Sequence, residues 1–376
     1  MVVPRVLAPF HPLPRRRWFA GLLLTLLTLT GLACQAAESL VPEPLPQIVK
    51  IGLAAPFEGR YRYVGYDAVY AARLAVREVN AAGGVAGRRL ELVAYDDRGT
   101  AEMGARVAHN LVVDPDVLVV IGHYRAESSA AAAPIYTEAG LPQIVLGGWV
   151  STAPPAIHLM PGPERVAEAM VAVGLEGGAQ SVALWADAAA DPVLAEALQQ
   201  AVAASSLAMA ATDADFVLSA LAPVAAAEQL AAWDASGWEG RLVGAGELAA
   251  SAFAQVGGAA SAGTEFIMPY PFPGDLDGST AAWVAAYQAV GPHVPVPGPY
   301  ALPTYEAVGL VADALATALR ETRVPDRRAL GDALSEGRRS GYLGEIRLDA
   351  QGMWQSAPLY RYRWGEAGPE LLEILP

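Results

Sequence analysis

Apolar and polar positions change their period repeatedly along the chain, and the changes outline its elements. Ile48 to Ala54 is a short apolar run closed by Pro56. From Asp67 to Asn80 the residues Val69, Ala72, Leu74, Val76 and Val79 keep a helical spacing, and Gly83 supplies a left-handed stop. Leu90 to Tyr95 alternates as a strand. Thr100 is placed as the N-cap of a helix reaching Val113, with Met103, Val107 and Leu111 stacked at i, i+4 and i+8. Val117 to Ile121 is a β-branched run too short for a helix. Ala126 to Ala139 reads as a helix and Gln143 to Leu146 as a strand. This alternation predicts a parallel sheet with helices on both faces.

The rhythm restarts after Pro161-Gly162-Pro163. Helices over 164–176, 193–203, 224–235 and 249–256 alternate with strands over 181–185, 216–218 and 242–243, and 266–268 reads as a strand crossing back. Long helices follow over 280–289 and 305–319, then two period-two strands over 345–348 and 358–364. No sequence repeat is visible, but the same α/β rhythm occurs twice. The expectation is two α/β lobes with a cleft, because open α/β sheets bind ligands at the carboxyl ends of their strands and pockets favour domain interfaces.

Composition narrows the chemistry. The 376 residues are 53% hydrophobic and 17% charged, with a net charge of −14. Such an acidic chain repels phosphate backbones, so no nucleic acid partner is expected. One cysteine excludes an internal disulfide or a thiolate cluster, and the five histidines show no HxxxH pairing, so no metal site is expected. Lys50 is the lone lysine, so no phosphate-cradling P-loop exists, and Gly-x-Ser-x-Gly is absent. Gly83 to Gly87 precedes a strand and is a turn, not a dinucleotide fingerprint. Asp96 and Asp97 adjoin at a strand end, where loop capping outweighs acid–base work. No carboxylate–imidazole–hydroxyl constellation is legible, and no catalytic residue or cofactor is expected.

The N-terminus reads as an address. Arg15-Arg16-Arg17 precedes an apolar run from Trp18 to Ala33 that ends at Cys34. The run is short of the roughly 20 residues of a membrane-spanning helix and has the layout of an export signal. It resembles a lipoprotein signal, which implies a lipidated Cys34 holding the chain on the membrane surface. A signal anchor, or cleavage beyond Cys34 at Ala36-Ala37, is the alternative. Residues 1–33 are then the signal, and 34–47, with Pro42, Pro44 and Pro46, a stiff tether.

A longer pattern runs through the rest. It comprises Ile51-Gly52-Leu53-Ala54-Ala55-Pro56, the helix ending Val79-Asn80-Ala81-Ala82-Gly83-Gly84, Leu90 to Asp97, Val120-Ile121-Gly122-His123, Pro134-Ile135-Tyr136, Gly140-Leu141-Pro142, Tyr305-Glu306-Ala307 and Gly344 to Gly352. In this order it resembles the leucine/isoleucine/valine-binding family, the type I periplasmic solute-binding proteins of ABC importers. The resemblance is good over 48–150, fair over 264–364 and weak over 165–260. It implies two Rossmann-like lobes joined by three hinge crossings, near 160–164, 262–267 and 338–343. Lobe 1 would hold 48–162 and 266–340, and lobe 2 would hold 163–265 and 341–376. It also implies a small-molecule solute, permease and ATPase partners, and an exported, periplasmic or cell-surface location. A ligand-sensing ectodomain of the same fold is the alternative.

In that family a solute carboxylate sits at the N-terminus of the helix after the Ile-Gly-His strand, where free N–H groups and the dipole favour an anion. Here the matching segment is Tyr124-Arg125-Ala126, with Ala126 where the family has a serine. Gly147-Gly148-Trp149 matches the next contact stretch, with Trp149 in place of a threonine. The resemblance therefore implies a more aromatic, differently selective cleft with Tyr61, Tyr63, Tyr124, Trp149 and Tyr300 as walls. Arg125 is a candidate for a solute carboxylate, and Glu247 lies beside the family's acid for the amino group. Each has a structural alternative. Tyr61 and Tyr63 could be loop residues, Trp149 a sheet cap, Arg125 a partner of Glu127, Glu247 a helix N-terminal acid, and His123 a packed strand-end residue.

Overall fold

The computed structural model of the chain describes residues 47–150, 156–186, 191–276 and 278–375. The expected signal, Cys34 and all of the expected tether but Gln47 lie outside the described residues. Among the described residues no helix is long and apolar enough to cross a membrane.

Among the described residues, five parallel strands make the first sheet: β1 (Ile48–Ala55), β2 (Arg89–Asp96), β3 (Val117–Ile121), β4 (Gln143–Val145) and β5 (Ala156–His158), in the order β2-β1-β3-β4-β5. Successive side chains of a strand point to opposite faces, and β1, β3 and β4 are largely apolar on both because both are covered, whereas the edge strand β2 exposes Arg89 and Glu91. Ile51, Leu53, Val119 and Ile121 join one core with α1 (Arg62–Ala81) and, from later in the chain, the helix Ala301–Glu321. Ala54, Val117 and Val120 join the opposite core with α2 (Ala101–Val112) and α3 (Ala126–Glu138). Thr100 caps α2, accepting from the Met103 N–H at 3.4 Å. Both long helices start ahead of their apolar periodicity. Arg62, Tyr63 and Tyr66 break the pattern in the first, and Pro303 falls in the first turn of the second, where its missing N–H costs nothing.

The second sheet has seven strands among the described residues. They are β6 (Ser181–Trp185), β7 (Ala208–Met209), β8 (Phe216–Ser219), β9 (Arg241–Ala245), β10 (Glu265–Met268), β13 (Leu359–Trp364) and β14 (Pro369–Leu375), in the order β14-β13-β10-β9-β8-β6-β7. β13 runs antiparallel to both neighbours. Alternation again divides the strands between two cores. Val182, Phe216, Leu218, Val243 and Ile267 face α4 (Pro163–Glu176) and α5 (Pro192–Ala204). Val217, Leu242, Phe266 and Tyr362 face α6 (Pro223–Ala235) and α7 (Ser251–Gly257). The short 203–215 segment yields only the two-residue edge strand β7.

The sheets move two of the expected crossings. β10, expected to open the return to lobe 1 at 266, pairs with β9 and β13 in the second sheet. The chain returns after Met268, and Tyr270 already packs in the first core. There follow α8 (Ala281–Gln288), α9 (the helix Ala301–Glu321), α10 (Arg327–Ser335) and a hairpin of β11 (Arg338–Gly341) and β12 (Gly344–Arg347). The third crossing is not at 338–343, because Ile346, Leu348, Trp354 and Ala357 still fill the first core, whereas Leu359 belongs to the second. Among the described residues, those of 48–162 and 269–357 thus pack with the first sheet, and those of 163–268 and 358–375 with the second. An ion pair pins the hairpin to α9: Arg339 Nε lies 2.6 Å from the fully buried Glu306, which also accepts from the Tyr342 N–H at 2.7 Å.

Candidate functional site

The loops at the carboxyl ends of the first sheet face the second lobe. The loop after β3 carries Tyr124 and Arg125 into α3, the loop after β4 carries Gly147, Gly148 and Trp149, and Tyr300 precedes α9. The first two loops touch backbone to backbone. A Cβ on Gly147 would lie 2.1 Å from the Tyr124 carbonyl oxygen, and one on Gly148, at φ +72°, would lie 2.3 Å from the Ala126 Cα. Only glycine fits either position. Trp149 Nε1 donates to the Pro161 carbonyl at 2.9 Å, and its ring packs against the cores of both lobes, so it sits at the first crossing rather than capping a sheet.

Between the lobes lies a cavity of about 60 Å³ that opens to solvent. Tyr124, Gly147, Trp149 and Tyr300 wall it on one side, and Asp191, Leu194, Ala220 and Glu247 on the other. A second cavity of about 270 Å³ shares Gly246 and Tyr300 with it and is lined by Tyr63, Asp67, Phe272 and Pro295 among others.

Charge crosses the gap. Arg125 Nη1 lies 2.5 Å from Glu247 Oε1, so its partner is the opposite lobe's acid and not Glu127. The guanidinium lies 4.0 Å over the Tyr61 ring and donates to the Tyr61 hydroxyl at 3.1 Å. Its Nε is buried with no partner. Burial opposes the charge, but Glu247 outweighs it and the pKa rises. Asp191 caps α5, accepting from the Val193 and Leu194 N–H groups at 3.0 and 3.2 Å, and burial raises its pKa. Asp67, in α1, accepts from the Gly298 N–H at 2.9 Å and the Tyr300 N–H at 3.3 Å. Burial pushes its pKa up to about 7 against those bonds.

Tyr124, Gly147, Trp149, Glu247 and Tyr300 therefore share the first cavity. Tyr63 stands in the second, Tyr61 is buried behind Arg125, and Ala126 is half-buried against Gly148. Asp191 and Asp67 escaped the sequence reading. The Asp191-Pro192 step, an N-cap followed by proline at the first helical position, was the signal for the former.

A carboxylate–imidazole–hydroxyl constellation does exist, contrary to expectation. His123 Nδ1 lies 2.5 Å from Asp97 Oδ2, and its Nε2 lies 3.1 Å from the Tyr136 hydroxyl. The order β2-β1-β3 brings these strand ends together. Asp97 and His123 are fully buried, so the group ties loops together and offers no reacting atom to a solute. Asp96 caps its loop, accepting from the Phe57 and Arg98 N–H groups. Among the described residues no group of His, Cys, Asp or Glu is placed to hold a metal ion.

Comparison with known proteins agrees with this architecture. The amino acid binding protein of Pseudomonas aeruginosa is 32% identical over 117 residues, 31% of either chain. The chain thus spans under a third of the length of the curated relatives it matches first. A leucine-binding protein of Thermotoga maritima superposes with a TM-score of 0.75 at 17% identity, covering 87% of this chain and 98% of its own. A solute-binding protein from R. palustris, solved with 4-hydroxybenzoate, gives 0.71 at 17%, covering 88% and 97%. These likenesses are of fold: two α/β lobes of the type I periplasmic-binding kind. The profile of the periplasmic binding protein family matches residues 48–207 and 199–369. The chain therefore belongs to the periplasmic binding protein family, whose members bind solutes rather than transform them.

Proposed function

We propose that this chain is the exported solute-binding component of an ABC importer, and that it takes up an amino acid or a similar small acid or amide. The observation carrying this reading is a cavity walled by both lobes, beside which Arg125 of one lobe pairs with Glu247 of the other. Closure of two lobes on a solute requires binding energy that differs between open and closed states, and walls contributed by both lobes supply that difference. In this reading Arg125 serves an acidic group of the solute and Glu247 an amino group. Tyr124, Trp149 and Tyr300 supply apolar contact, with Tyr61, Tyr63, Ala126 and Gly147 shaping the surroundings. The benzoate-type solute of the R. palustris protein suits such aromatic walls.

The family resemblance supports permease and ATPase subunits as partners, and the N-terminal pattern supports export with a lipid anchor at Cys34. Calorimetric titration against amino acids, short amides and aromatic acids tests the reading, with binding of at least one class expected. If none binds, the reading fails. The mass of the mature protein tests the anchor, which requires a diacylated N-terminal cysteine.

A further inference from the structure

The second cavity has no role in the reading above. It is the larger of the two, about 270 against 60 Å³, and Gly246 and Tyr300 line both.

Its walls differ in kind from those of the first. The first chamber carries Asp191 and Glu247, with Arg125 behind Glu247. The second is walled by the rings of Tyr63, Tyr66, Phe272 and Tyr300, with Pro295 beside them. Its one acid, Asp67, spends an oxygen on each of two backbone N–H groups, and burial favours its neutral form. The chamber is also held in shape. Asp67 pins Gly298 and Tyr300 to α1, and the Tyr300 ring stands edge-on to Tyr124 at 5.8 Å and to Tyr270 at 6.0 Å. A space lined by rings, whose one carboxyl is tied to two backbone N–H groups, accommodates a flat, uncharged group, which gains stacking and edge contacts there.

We propose that the solute is two-ended: a charged head held in the first chamber and an uncharged aromatic ring reaching past Tyr300 into the second. This places an aryl-bearing amino acid, acid or amide ahead of a branched-chain aliphatic one. The inference rests on the reading of the cleft as a solute site.

The test is calorimetric titration of the full chain with alanine, leucine, phenylalanine, tyrosine, lysine, benzoate, 3-phenylpropionate and 3-phenylpropionamide. The variants Ala249→Phe and Ser251→Trp each add bulk at the wall of the second chamber, away from the charged head. Aryl solutes should bind at least about tenfold more tightly than the aliphatic solutes. Either variant should weaken the aryl solutes by about that factor and leave the short solutes unchanged. Equal or better binding of leucine or lysine overturns the proposal while the solute-binding reading stands, as does a variant that weakens short and aryl solutes alike. No binding by any of the eight overturns both.

Discussion

Two buried groups should give this protein opposing pH responses, each exposed by a single substitution. His158, on β5, accepts the Val150 N–H at Nε2 (3.3 Å), and its Nδ1 is buried without a partner. Burial lowers its pKa from 6.5 to about 4, against a smaller opposing pull from Asp349. Between those values the unfolded chain binds a proton that the folded chain refuses, so stability rises with pH. At about 1.4 kcal/mol per pH unit, the effect spans about 3 kcal/mol. Asp67 acts the other way. Its pKa is raised from 3.8 to about 7, so the folded chain holds a proton the unfolded chain has lost, and stability falls as pH rises through that window, by about 4 kcal/mol. Over pH 4 to 6.5 the two slopes nearly cancel.

Urea unfolding of the protein, His158→Gln and Asp67→Asn at steps from pH 4 to 7.5, read by fluorescence and circular dichroism together, separates them. Relative to the parent, His158→Gln should gain about 3 kcal/mol as pH falls from 6.5 to 4, and Asp67→Asn about 4 kcal/mol as pH rises from 4 to 7. Groups shared by all three proteins drop out of the differences. Variant curves that stay parallel to the parent across the window would show that burial does not set these protonation states.

Other expectations follow from single contacts. Arg339→Met leaves the Glu306 carboxylate buried with one backbone donor, and should cost about 3 kcal/mol in urea unfolding. Adding Glu306→Met should recover much of that loss. Gly148→Ala forces a Cβ onto Ala126 at positive φ and should lower the melting temperature and abolish solute binding in the same protein. Glu247→Gln removes the ionic contact between the lobes, so small-angle scattering of the ligand-free protein should report a larger radius of gyration, with less sensitivity to salt than the parent. Trp149→Phe loses the bond to Pro161 and should weaken solute affinity while costing about 1 kcal/mol of stability.

The first lobe was readable because its inner strands are buried on both faces and its α1 and α2 helices are amphipathic, so Ile51, Leu53, Val107 and Leu111 announce their periods. The crossings were not. The apolar run Glu265–Met268 suits either sheet, and its place is decided by pairing with Arg241–Ala245 and Leu359–Trp364, which no local pattern reveals. Ile346 and Trp354 likewise carry no mark of which core receives them. Aromatic walls at Tyr124, Trp149 and Tyr300 were legible through the family pattern. The partner of Arg125 was not, because Glu247 lies on the other lobe and only the relative placement of two sheets brings them together. Asp97, His123 and Tyr136 meet for the same kind of reason: two adjacent strand ends and a helix converge in space while remaining scattered in sequence.

The interleaving of the lobes governs how the molecule must assemble. Phe266 stacks on Tyr362 at 5.7 Å, and the whole first-lobe stretch 269–357 lies between them in the chain. A nascent polypeptide ending just past Met268 would own five strands of that sheet but expose the flank on which Leu359–Trp364 must lie. It would have to wait, with an open apolar edge, for some ninety further residues (at roughly 5–20 per second) before the sheet could be sealed. Neither half is therefore an excisable module, and a helper that shields unpaired strand edges during that interval would have its target here.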